Sequence, residues 1–107
     1  MSDDTAVVIE TLRDVAKHPG MYGLDGSYEH FCIFVTGYDV GSRGELLRGF
    51  NGWFSARLGR HSNFVWWAQI DAADPAVLPA VTPDGGKRWN PKVAATIELI
   101  AEFRDSL

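Results

Sequence analysis

The sequence predicts an all-α protein, a compact single-domain bundle of four to five helices over residues 1–107 with a Pro/Gly-rich loop before the last helix. Three observations lead there. Apolar residues recur at three- and four-residue spacing through most of the chain, which places them on single helix faces. Capping residues and Pro or Gly stops fall at the joins between these stretches. Finally, 107 residues with 46% hydrophobic content, four Trp and six Phe supply one core and no second one.

Taken in order, the first helix covers about residues 4–17, with Val8, Ile9, Leu12, Val15 and Ala16 on one face. Asp3 or Asp4 can cap it, Lys17 and His18 suit its C-terminal end, and Pro19 stops it. The stretch KHPGMYGLDGSYEHF follows, residues 17–31. Within it, Gly20 and Gly23 are expected to take backbone angles other residues resist, while Met21 and Tyr22 pack under the turn. A second helix, about 26–40, starts at Asp25 or Ser27. It carries Tyr28, Phe31, Cys32, Val35 and Tyr38 on one stripe, with Ile33 and Phe34 beside it. Apolar over so much of its circumference, it is expected to be the central helix, with a close crossing at Gly37.

After the turn Gly41-Ser42-Arg43-Gly44, a third helix carries Leu46, Leu47, Phe50, Trp53, Phe54 and Leu58 and stops at Gly59. A short fourth segment begins at Ser62 or Asn63 and runs through Ile70 to Asp74-Pro75. Residues 75–89 hold Pro75, Pro79 and Pro83 and an Asp-Gly-Gly turn, which reads as an extended loop with a small hairpin as the alternative. Asn90-Pro91 starts the last helix, carried by Val93, Ile97, Ile100, Phe103 and Leu107.

Composition narrows the function classes. A net charge of −4 argues against a general nucleic-acid binder, which needs clustered cations to displace counterions. The local run of Arg43, Arg48, Arg57 and Arg60 against Glu45 alone reads first as a solvated face. No window reaches the roughly 18 apolar residues of a membrane span. The single cysteine, Cys32, precludes an internal disulfide, and the acidic Ser2-Asp3-Asp4 opening lacks the basic start of a secretory leader. A cytoplasmic protein is the expectation.

Catalytic and metal constellations are not legible. Cys32 lies on an apolar stripe, and His30, two residues away, points about 200° around the helix, so the two cannot pair directly. His18, His30 and His61 fall in separate segments without an acid or second His at helical spacing, so no metal site is expected. The glycine-rich stretches lack the strand and lysine of a phosphate loop, and no cofactor is expected. The consecutive Trp66 and Trp67 leave a helix about 100° apart. A narrow core stripe does not readily take both, so either one lines a groove or both sit at a wide helix junction.

In the order of its features, the chain resembles a loose group of small bacterial helical proteins, some encoded beside toxins as candidate immunity proteins. The shared features are Pro19-Gly20-Met21-Tyr22-Gly23, Phe34 to Gly37-Tyr38, Phe50 to Trp53-Phe54, Ser62-Asn63 to Trp66, and the run Ile97 to Phe103. His18 stands where the group has a basic residue, and Gly23-Leu24 inverts its Leu-Gly. The resemblance implies a helical fold, no catalytic residue, and a protein partner encoded nearby. A partner surface is expected at Tyr22, Trp67, Asp71, Asp74 and Arg43, combining an aromatic anchor with charges that oppose a partner's own. Two alternatives remain: a small-molecule or nucleotide-binding domain or enzyme with a cleft near Tyr22, Tyr38, Trp67 and Arg43, and a homodimer with a self-complementary apolar face.

Overall fold

A computed structural model describes residues 3–59, 64–81 and 90–107. Among them the chain forms helices α1 (Asp3–Lys17), α2 (Tyr28–Gly41), α3 (Phe50–Leu58), α4 (Trp66–Ala72) and α5 (Pro91–Asp105). Short 3₁₀ turns span Pro19–Tyr22 and Pro75–Val77, and no strand occurs among the described residues. The hairpin alternative concerned residues 75–89, of which 82–89 lie outside the described residues.

Local chemistry accounts for several boundaries. The Ser27 hydroxyl accepts the His30 N–H to cap α2, and Asn90 Oδ1 accepts from Lys92 and Val93 to cap α5, with Pro91 in its first turn. The third helix starts later than its apolar rhythm predicts. Arg43, Gly44 and Gly49 all take positive φ, so residues 42–49 form successive turns and regular helix begins only at Phe50. Leu46 is buried from within that turn region. Helix α4 likewise begins at Trp66 after an extended Val65; the expected caps Ser62 and Asn63 lie outside the described residues.

The central helix is α5, where the apolar count of α2 had pointed to α2. Val93, Ala95, Thr96, Ile97, Leu99, Ile100, Ala101 and Phe103 are all buried, and its most extensive helix contact is with α1. Small residues such as Ala95 and Ala101 let neighbours approach it on several sides. Its charged side chains then reach outward to different elements: Lys92 to Asp71 on α4, Glu98 to Arg13 on α1, Glu102 to Arg57 on α3, and Arg104 to the Glu45 carbonyl. Around α5 lie Ile9, Leu12 and Val15 of α1, Phe31 and Val35 of α2, and Ile70 of α4. Phe50 of α3 stacks among Trp53, Phe54, Trp66 and Phe103. The last residue, Leu107, is exposed rather than part of this core.

The His18–Gly23 junction is a single 3₁₀ turn with Pro19 buried and Gly23 left-handed at φ 75°. Gly20 has no positive φ, so only Gly23 needs glycine's freedom. Met21 does not pack: it is 80% exposed. A one-turn segment buries one side, and Pro19 occupies it. Tyr22 instead lies along the surface, donating its hydroxyl to Asp14 and meeting Phe34 edge-on.

Candidate functional site

Two surface features of the helices converge on one groove. Helix α2 turns Tyr28 and Cys32 inward and leaves Glu29, Ile33 and Thr36 at its margin, while α4 projects Trp67 and, one turn later, Asp71 toward them. These seven residues line a groove of about 570 Å³. Trp67 is 46% exposed, whereas its neighbour Trp66 is half-buried with its ring edge-on to Phe50. The tandem tryptophans are therefore divided, one to the core margin and one to the groove.

The base of the groove is tied together by polar contacts. Tyr28 donates its hydroxyl to the Trp67 carbonyl at 2.8 Å, joining α2 to α4. Lys92 sits 5.3 Å over the Tyr28 ring and 2.6 Å from Asp71 Oδ1, so α5 is tied to two residues of the groove and gives Asp71 a counter-charge. Glu29, on the rim, has no ion pair among the described residues. The result is an apolar slot of aromatic, aliphatic and methyl surface with one uncompensated acid.

Burial pushes the Cys32 thiol from its ordinary 9.0 up to about 11, and burial likewise raises the Tyr28 phenol well above its usual range. Cys32 is thus a neutral thiol at physiological pH. His30 directs Nδ1 to the Asp25 N–H at 3.0 Å and supplies it no base. The groove therefore offers shape and apolar surface, not an activated nucleophile. Because the fold keeps the thiol protonated while the unfolded chain releases it, stability is expected to hold below about pH 9 and to fall as pH rises toward 11. The slope should approach about 1.4 kcal/mol per pH unit for that one group. Urea titrations across this range would show it, and Cys32→Ala should lessen the fall.

The other predicted site residues are dispersed. Asp74 is exposed and accepts the Ala76 N–H, so it caps the second 3₁₀ turn. Arg43 is exposed just past α2, held at φ 60°. Tyr22 reaches Tyr38 through Phe34, whose ring lies 5.6 Å from Tyr22 and 6.4 Å from Tyr38. The shallow cavity that Tyr22 borders with α1 shares no residue with the Trp67 groove. Of the five expected partner-surface residues, Trp67 and Asp71 are together. Tyr28, Glu29, Cys32, Ile33 and Thr36 complete their groove; the sequence signal for it is the apolar width of α2, which fits a core helix equally well.

A second cavity of about 480 Å³ lies between α1 and α5, bordered by Lys17, Leu24, Phe31 and Ile97. Its edge includes Val81 and Asn90, which flank residues outside the described set. Among the described residues no three His, Cys, Asp or Glu side chains gather as a metal site, and no helix is long and apolar enough to cross a membrane. No family model, curated protein or solved structure matches the chain.

Proposed function

We propose that this is a non-enzymatic protein-binding domain, an immunity-like or regulatory partner of a bacterial effector, working in the cytoplasm and using the Trp67 groove. The observation that carries the reading is the exposure of Trp67 and Ile33 on one apolar slot. Tryptophan is enriched among residues that dominate binding energy when seated in a partner's pocket or against its side chains. The acidic rim at Glu29 suits a partner that places a basic side chain beside its apolar anchor. The resemblance at the Pro19–Gly23 junction supports the bacterial setting, and a free buried Cys32 suits a reducing compartment.

The test is calorimetric titration with the purified product of the neighbouring reading frame. Trp67→Ala is expected to weaken binding at least about tenfold, because a hot-spot truncation costs 2 kcal/mol or more. Its melting temperature should change little, since the Tyr28 bond goes to the backbone carbonyl. Unchanged affinity in that variant would remove the groove from the reading, and no binding by the neighbour's product would remove the effector partner.

The groove's volume of about 570 Å³ also falls in the range of small-ligand sites, which favours a small apolar ligand as the second reading. Tryptophan fluorescence and thermal shift against a metabolite panel separate the two.

A further inference from the structure

The outward face of α2 combines three features that the rest of the fold does not explain. By helical spacing Glu29, Ile33, Thr36, Gly37 and Val40 share that face. Ile33 and Val40 are 66% and 72% exposed, and Thr36 and Gly37 are exposed between them. Glu29 lies in the first turn, and Arg43, of opposite charge, lies two residues past the other end, after the Ser42 cap; neither makes an ion pair among the described residues. The close helix crossing expected at Gly37 is absent among the described residues, where a Cβ built there meets nothing within 4 Å. A solvent-facing glycine in mid-helix weakens the helix, and a second helix approaching closely would give it a purpose.

We propose that this face is a homodimer interface, in which α2 lies antiparallel to α2 of a second copy about a twofold axis passing between Thr36 and Gly37. Ile33 and Val40 stand equally far on either side of that point, so each Ile33 meets Val40 of the other copy. Thr36 meets Gly37, whose missing side chain lets the axes approach. The same operation sets each Glu29 opposite the turn just past α2 of the other copy, where Arg43 lies, so two charges without an ion pair among the described residues come within reach of each other. One patch serving both subunits is the self-complementarity a twofold dimer requires, and the opposed helix dipoles favour it. Glu29, Ile33 and Thr36 border the Trp67 groove as well, so dimerisation and partner binding compete for the same side chains.

Sedimentation equilibrium on the full chain, from low micromolar to near-millimolar concentration, tests it. A concentration-dependent rise to twice the monomer mass is expected. Ile33→Glu, at an exposed position that leaves the core intact, should raise the dissociation constant at least about tenfold. Glu29→Arg and Arg43→Glu should each weaken the dimer, and the two together should restore it. Thr36→Cys, adjacent to the axis, should give a disulfide-linked dimer on oxidation. A monomer at every concentration overturns the proposal while leaving the Trp67 titration to judge the effector reading. A dimer indifferent to Ile33→Glu, or a double charge exchange without recovery, overturns it too by placing the contact elsewhere.

Discussion

Phe50→Ala is expected to remove about 3–5 kcal/mol of stability, the upper range for a buried aromatic truncation. Phe50 is 0% exposed, and its ring contacts four others: Phe103 at 5.3 Å, Trp53 at 5.8 Å, Trp66 at 6.0 Å and Phe54 at 6.4 Å. Those rings are anchored on three helices, so they cannot close together over the space left behind, and the cavity penalty adds to the lost transfer energy. Domains have only about 5–15 kcal/mol in total, so a large fraction of the variant should unfold well below the wild-type midpoint. Urea denaturation followed by tryptophan emission measures it directly. Met21→Ala is the matched control. Because Met21 is 80% exposed, its loss should stay within about 0.5 kcal/mol. A Phe50→Ala cost below about 1 kcal/mol would mean that the aromatic cluster does not hold α3, α4 and α5 together.

Gln69→Glu should be the second most damaging change. The Gln69 amide is fully buried and joins α4 to α3: its nitrogen donates to the Asn51 side-chain oxygen and, at 3.3 Å, to the Asn51 carbonyl, while its oxygen accepts from Ser55 at 3.0 Å. A carboxylate there keeps the Ser55 bond but turns an acceptor toward two acceptors, and it places an unpaired charge in the core. A loss of about 3 kcal/mol or more is expected at neutral pH, as for other uncompensated buried charges. The sign with pH is definite. Burial raises the folded-state pKa of the new carboxyl, so the penalty is greatest above that value and vanishes below the unfolded value near about 4.3. Relative to wild type, the variant should therefore recover as pH falls toward 4. Gln69→Met, similar in shape, should cost much less, since exposed Asn51 can turn to water. A flat difference between the Glu variant and wild type across pH 4–7 would show that position 69 is hydrated in solution.

Helix existence was written locally. Ser27 and Asn90 carry their caps in their own side chains, Pro19 and Gly59 mark stops through backbone constraints, and the apolar rhythm of α1 picks out the residues that are buried, Ile9, Leu12 and Val15. Errors arose where a local pattern is compatible with two surroundings. The rhythm of residues 46–58 fits a helix throughout, yet positive φ at Gly49 divides it. The apolar circumference of α2 fits a central helix and also a helix with one face outward; Ile33 and Val40 show the second.

The candidate site was half legible for the same reason. That one of two adjacent tryptophans could face out followed from helix geometry, but which one did so depended on how α4 is rotated against Phe50 and tied to Tyr28. Asp71 belongs to the expected partner surface, but its cation is Lys92, which α5 brings to it across the fold. Chain composition and periodicity sufficed for an all-α fold, the caps at Ser27 and Asn90 and most core positions, because those depend on residues within a turn or two of one another. Helix rotation, the central place of α5, the partners of each charge and the groove between α2 and α4 depend on contacts between residues tens of positions apart. No local pattern encodes those contacts; they are settled when several apolar faces compete to bury against the same neighbours.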